Sequence, residues 1–330
     1  MATNPRLSIC IPTYNFGNYI GQTLDSIFNQ PADNLEVIIG DGGSSDNTSS
    51  VIAKYIKVHP NIKYHNFGSK GGIDVDIAKT IDLASGDYIW LLSADDVLTD
   101  NAIIKLLSYL SSDFSIYLLD RIDCDKSLLP LSSRHWLKDN YRKVYNFSTS
   151  SDLRCYLNKS LGLGALFSYM SSIVVKRESW VSSAAPEIFY GSNYAHVAIL
   201  FNISLNGGRL MWINSPFVYN RNFNDSFMSD GITTRFIIDF YGYDLIMSHF
   251  FTDLVTINHI KRIMRFEHKW YHLFSLRSKV NLSDWSKLKK WLYHYRYPSI
   301  VIFCADLFGR SSLYKFLSRI LKSLTLHFFR

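Results

Sequence analysis

The sequence predicts an α/β fold built on a mostly parallel sheet with flanking helices. Three observations carry this. Short apolar runs of strand length alternate with segments whose apolar residues recur at helical spacing. The early strand runs end in polar or acidic turn chemistry. The run Tyr88 to Leu92 is apolar throughout, as expected of a parallel strand covered on both faces.

In chain order, Leu7 to Pro12 reads as a buried strand that leaves through Thr13-Tyr-Asn-Phe-Gly17. Ile20, Leu24, Ile27 and Phe28 mark a helix. Leu35 to Gly40 is a second strand, ending in Asp41-Gly-Gly-Ser-Ser-Asp-Asn-Thr48. Val51, Ile52, Tyr55 and Ile56 mark the next helix, and Ile62 to His65 a short third strand. Gly71-Gly-Ile-Asp-Val-Asp76 opens a helix running to Leu83, and Ser115 to Leu119 is a further strand. Such alternation implies right-handed βαβ units. Arg121 to Tyr145 reads as an irregular excursion over the active face. Phe167 to Lys176 resumes strand character, Val197 to Leu205 is an apolar helix, and Arg209 to Tyr219 reads as an edge strand. From Thr233 onward the pattern is helical.

The chain has 330 residues, 47% of them apolar and 15% aromatic. That length allows one large or two smaller domains, and we divide it at 1–225 and 226–330. The aromatic surplus suits sugar ligands, a membrane interface or a bulky core. Cys10, Cys124, Cys155 and Cys304 form no CxxC pair, which argues for reduced thiols rather than disulfides or zinc. No signal sequence and no bilayer-length apolar run is evident. The net charge of +7 is uneven: from Lys261 to Arg330, fifteen Lys and Arg stand against three acids. Leu313 to Phe328 reads as a basic amphipathic helix suited to an anionic membrane surface, or alternatively to the core. Nucleic-acid binding is a weaker reading, since no recognition motif is present. His268 and His272 are spaced like helical metal ligands but lack a third partner, and read as ordinary helix residues.

Asp95 and Asp96 follow the central strand at the end where open α/β sheets bind ligands. Two adjacent carboxylates are costly to hold together without a cation, and oxygen ligands suit Mg²⁺ or Mn²⁺. A helix N-cap pair is the competing reading. Asp41 either meets a nucleotide or closes an Asx-turn over Gly42-Gly43. No Gly-x-Gly-x-x-Gly or Walker loop follows the first strand.

The motifs Ser8-Ile-Cys-Ile-Pro-Thr-Tyr-Asn15, Ile39-Gly-Asp-Gly-Gly-Ser-Ser-Asp46 and Ala84-Ser-Gly-Asp-Tyr-Ile-Trp-Leu-Leu-Ser-Ala-Asp-Asp96 together resemble family-2 glycosyltransferases with a GT-A fold. Gly71–Asp76, Phe167–Lys176 and Asn224-Asp-Ser-Phe227 are most similar to abequosyltransferase-like O-antigen sugar transferases. The resemblance implies nucleotide-sugar contacts by Pro12, Thr13, Tyr14, Asn15, Asp41, Gly72, Asp74, Ser93, Ala94 and Asp95. It places the family's Asp-x-Asp signature on Ser93-Ala94-Asp95, with a serine for the first acid. Asp95 then ligates the metal and Asp96 supports it or meets the sugar. The inverting members' base position falls near Asn193, Tyr194 and His196, where no carboxylate stands; His196 and Asp225 are the candidate bases. Arg221 either faces the diphosphate or is solvated. The implied partners are a CDP-sugar donor, such as a CDP-linked 3,6-dideoxyhexose, and a lipid-linked saccharide acceptor. The implied location is cytoplasmic, at the inner face of a bacterial membrane. A non-catalytic sugar-binding or scaffold protein of the same fold is the alternative.

Overall fold

A computed structural model describes residues 6–31, 33–110, 113–138, 143–222 and 232–311. The chain divides into two compact units, Met1–Asn224 and Asp225–Arg330.

In the first unit the strands are β1 (Leu7–Thr13), β2 (Leu35–Asp41), β3 (Ile62–Asn66), β4 (Tyr88–Leu91), β5 (Val97–Leu98), β6 (Ile116–Cys124), β7 (Pro130–Arg134), β8 (Lys143–Asn146), β9 (Ile173–Lys176) and β10 (Arg209–Arg221). They form one sheet in the order β3-β2-β1-β4-β9-β6-β10-β5, with β7 beside β6 and β8 beside β10. The pairs β1–β2, β2–β3, β1–β4 and β6–β10 are parallel. β9 enters between β4 and β6 antiparallel to both. The helices are α1 (Ile20–Phe28), α2 (Thr48–Ile56), α3 (Ile73–Asp82), α4 (Ala102–Leu107), α5 (Ser150–Lys159), α6 (Arg177–Val181) and α7 (Ala195–Leu205).

The core forms where the sequence periodicity requires it. Leu7, Ile9 and Ile11 of β1 and Val37 and Ile39 of β2 are fully buried together with Ile20, Leu24 and Ile27 of α1. Each such side chain contributes about 1.5–3 kcal/mol. Glu36 is buried at the amino end of β2. It accepts from Ser8 Oγ (2.6 Å), Lys63 Nζ (2.7 Å) and Ser85 N (2.7 Å). Gly86 completes this corner, because a Cβ there would lie 2.6 Å from Ser8 Oγ and 2.8 Å from the Arg6 carbonyl.

Several expectations are corrected. Arg121 to Tyr145 is not one irregular excursion: β6 runs on to Cys124, and β7 pairs back on it antiparallel. Arg209 to Tyr219 is not an edge strand, since β10 pairs with β6, β8 and β5. Of Phe167 to Lys176 only the last four residues are strand, preceded by a 3-10 turn at Met170–Ser172. These misreadings share a cause: alternation reports two faces, not the number or direction of neighbouring strands.

The second unit contains α8 (Ile232–Phe250), α9 (Leu254–Glu267), α10 (His272–Lys279), α11 (Leu282–His294) and α12 (Ser299–Phe308). His268 and His272 do not share a helix: His268 follows α9 and pairs its Nε2 with Asp239 Oδ2 at 2.8 Å, whereas His272 begins α10. On α12, Ile302 and Ala305 are buried while Ile300, Phe303 and Leu307 stand exposed at 66%, 60% and 57%. The expected helix Leu313 to Phe328 lies outside the described residues.

Candidate active site

The carboxyl ends of β1, β2 and β4 bring together most of the residues singled out above. β1 places Pro12 beside Gly40 and Thr13 beside Asp41 in register. Asn15 takes a left-handed conformation (φ 59°), which asparagine tolerates. Its Oδ1 then accepts from Ser45 N (2.8 Å) and Asp46 N (3.3 Å), and its own N–H donates to Ser44 Oγ (2.8 Å). Asp41 is fully buried. Its Oδ1 accepts from Ser44 N (2.8 Å) and Ser44 Oγ (2.7 Å), and its Oδ2 from Tyr64 Oη (2.8 Å). The turn-closing role of Asp41 is therefore present, and Asn15 ties the loop after β1 to the loop after β2. Thr13 Oγ1 is buried there without a hydrogen-bond partner.

Gly43 is left-handed (φ 80°), and a Cβ on it would lie 2.8 Å from the Gly68 backbone. This close approach brings the 66–72 segment against the β2 loop. Lys70 Nζ sits 4.7 Å from the Tyr14 ring centroid. Asp76, buried, accepts from Gly71 N at 3.1 Å. Burial raises its carboxyl above the usual range while Lys79 and Lys70 oppose that and Asp41 adds to it. Tyr64, Lys70 and Asp76 join this corner only through the tertiary packing. Gly72 (φ 85°) stands before α3 with open space around it.

Asp74 does something else. Its Oδ2 accepts from Gly191 N (2.9 Å) and Asn193 N (2.8 Å), and its Oδ1 from Ala195 N (3.0 Å). The carboxylate thus binds the backbone entering α7. Burial raises it against the pull of these three amides.

After β4, Ser93 Oγ donates to Asp95 Oδ1 (2.5 Å), and the Ala94 carbonyl accepts from Thr23 Oγ1 (2.9 Å). Asp96 Oδ2 accepts from Tyr169 Oη and Ser171 Oγ, both at 2.6 Å, and Oδ1 from Arg221 N at 3.2 Å. Burial first, and then the Asp95 charge, push the Asp96 carboxyl well above its ordinary range; Ser171, Tyr169 and Arg121 act the other way. Neither acid caps a helix, since α4 begins behind Asn101. Nor is Arg221 solvated: it is 6% exposed, with Nε on the Asp95 carbonyl (3.1 Å), Nη2 on Gln22 Oε1 (2.5 Å) and Nη1 on the Lys126 carbonyl. It braces the acidic loop from beneath.

His196, in the first turn of α7, has both ring nitrogens buried without a well-formed hydrogen bond. Burial lowers its imidazolium to about 4, the nearby Phe167 backbone working against this. Asp225 lies outside the described residues. Among the described residues no cluster of three or more His, Cys, Asp or Glu side chains forms a ready-made metal cage. The acidic pair after β4 is the oxygen-donor set of the site.

Comparison with known proteins agrees with this geometry. Residues 8–169 match the family "Glycosyl transferase family 2". The chain is 32% identical over 273 residues to Abequosyltransferase RfbV of Salmonella typhimurium, covering 81% of this chain and 82% of the relative. It is 36% identical over 104 residues to the GalNAc(5)-diNAcBac-PP-undecaprenol beta-1,3-glucosyltransferase of Campylobacter jejuni, covering 31% and 34%. Among solved structures, S. aureus TarS 1-349 with UDP-GlcNAc superposes with a TM-score of 0.63 at 15% identity, covering 92% of this chain and 89% of that one. The mannosyltransferase PcManGT of Pyrobaculum calidifontis, solved with GDP-Man and Mn²⁺, gives 0.55 at 14% identity, covering 94% and 89%. The protein has the GT-A fold and belongs to glycosyl transferase family 2, and it is a glycosyltransferase.

Proposed function

We propose that the protein transfers a 3,6-dideoxyhexose such as abequose from a CDP-sugar to a hydroxyl of a lipid-linked saccharide during O-antigen or related surface-polysaccharide synthesis. The carrying observation is the similarity to Abequosyltransferase RfbV over four-fifths of both chains, joined to an acidic pair at the carboxyl end of β4. The printed name of the Campylobacter relative includes PP-undecaprenol, which supports a lipid-linked acceptor.

The chain's own residues supply orientation. Asn15 and Asp41 hold the loops after β1 and β2 in one arrangement, so the nucleotide meets a preformed surface of Pro12, Thr13, Tyr14 and Gly72. Thr13 Oγ1, buried and unpaired, is suited to meet a ligand atom. Ser93 and Arg221 fix Asp95, while Tyr169 and Ser171 fix Asp96. The donor set fits a divalent ion, because Mg²⁺ is commonly held by one or two carboxylates plus substrate phosphates. Asp95, which falls on the family's Asp-x-Asp signature, would hold it, and bound Mg²⁺ or Mn²⁺ would supply Lewis-acid stabilisation of the diphosphate leaving group. In the transfer, the anomeric carbon–oxygen bond to phosphate breaks, and its electron pair leaves with the nucleoside diphosphate. The acceptor oxygen forms the new glycosidic bond and gives up its proton.

Attachment to the inner face of the bacterial membrane is part of this proposal. No described helix is long and apolar enough to cross a membrane. The exposed Ile300, Phe303 and Leu307 stripe, within a strongly basic region, suits lying in an anionic lipid surface.

A thermal-shift screen of CDP-, UDP-, GDP- and dTDP-sugars with and without Mn²⁺ tests the donor. Stabilisation by the CDP series is expected. Stabilisation by another series alone would exclude the CDP donor. Glycolipid-dependent release of nucleoside diphosphate tests the acceptor class.

A further inference from the structure

The proposed transfer needs a proton acceptor, and the stretch where related enzymes would hold an acid offers none. Gly191 to His196 contains no carboxylate, Asp74 beside it is taken up by three amides, and His196 is enclosed. A different pair has the geometry of an oriented base. Asp120, on β6, is fully buried. Its Oδ1 accepts from Trp212 Nε1 (2.9 Å) and Trp136 N (3.2 Å), and its Oδ2 lies 2.7 Å from His135 Nδ1. Three donors from β10 and from the residues after β7 leave this carboxylate one orientation. When ionised, Asp120 can only accept, so Nδ1 of His135 then carries the proton, and in the neutral ring Nε2 keeps its lone pair. The His135 side chain is 47% exposed while its Nδ1 edge is held by Asp120.

The pair is joined to the acidic loop through packed side chains. Trp136 follows His135 and packs against Tyr169 with ring centroids 6.1 Å apart, and Tyr169 Oη donates to Asp96. The Arg121 guanidinium lies over both rings, 4.1 Å from Tyr169 and 5.1 Å from Trp136, and Arg134 lies 5.9 Å from Trp136. Asp120 is the charged group bonded to the His135 ring, and Arg121 and Arg134 lie over the neighbouring Trp136.

We propose that His135 is the general base of the transfer and that Asp120 is its positioning residue. The inference rests on the transferase reading above. As the acceptor oxygen bonds to the anomeric carbon, its proton passes to His135 Nε2. The electron pair of the broken anomeric bond leaves with the nucleoside diphosphate, and the imidazolium is stabilised by ionised Asp120. Such an oriented carboxylate–histidine pair is a common way to hold a base in one tautomer.

The test uses the full chain with CDP-abequose and a lipid-linked oligosaccharide. His135→Gln should lower kcat by about 10²-fold or more, leave the donor KM and the nucleotide-induced Tm shift unchanged, and remove the acid limb of the kcat/KM profile. His135→Ala should regain part of its activity when imidazole is added, which a packing role would not give. Asp120→Asn should lower kcat in the same direction with donor KM unchanged. Wild-type kcat in His135→Gln, or a loss of donor-induced stabilisation in step with the loss of activity, would overturn the base assignment while the transferase reading stands. A wild-type protein that transfers sugar from none of the four nucleotide series would overturn that reading and the base with it.

Discussion

Tyr169 donates its hydroxyl to Asp96 Oδ2 at 2.6 Å, across 73 residues of chain. With Ser171 on the same oxygen and Arg221 N on the other, this contact holds the Asp96 carboxylate in one orientation beside Asp95. Tyr169→Phe removes one donor from a buried carboxylate, which costs about 1–3 kcal/mol. Urea unfolding should show that loss with the slope unchanged.

Asp95 is the expected metal ligand. Asp95→Asn should fold with a near-native Tm and lose about 10²-fold or more in kcat. Chelation should abolish transfer by the wild type, and Mn²⁺ or Mg²⁺ should restore it. A chelated enzyme with full activity would remove the metal from the mechanism.

Gly43 joins the β2 loop to the 66–72 segment through a backbone approach that leaves no room for a methyl group. Gly43→Ala adds both that clash and a left-handed penalty of about 1 kcal/mol or more. The expected result is weaker nucleotide binding, read by titration calorimetry, together with a lower Tm.

Glu36 sets an acid limit on stability. Burial alone would raise its carboxyl, but hydrogen bonds from Lys63, Ser8 and Ser85 outweigh this and hold it at about 2, below its ordinary 4.5. A depressed carboxyl stabilises the fold fully above the unfolded value and loses that contribution as pH falls through the folded one. Stability should therefore drop between about 4.5 and about 2. Glu36→Gln should flatten that part of the profile and cost about 2 kcal/mol at neutral pH.

The exposed stripe of α12 gives a membrane test. Ile300→Ser with Phe303→Ser should reduce cosedimentation with phosphatidylglycerol vesicles by about tenfold, a loss of about 1.4 kcal/mol. Soluble-substrate binding should be unchanged. Equal vesicle binding by the variant would move the contact elsewhere.

The alternating strands and helices, the mostly parallel sheet and the acid-bearing ends of β2 and β4 were legible in the sequence. Each depends on residues a few positions apart: apolar periodicity, turn chemistry and short motifs report local geometry directly. Only the tertiary structure decided that β9 runs antiparallel, that β10 is interior, and that Arg221 is buried under the acidic loop. Only it committed Asp74 to amides 117 to 121 residues away and set Asp120 beside His135. The physical reason is the same in each case. A buried polar side chain is defined by the partner that satisfies it, and such partners come from distant segments that no local pattern names.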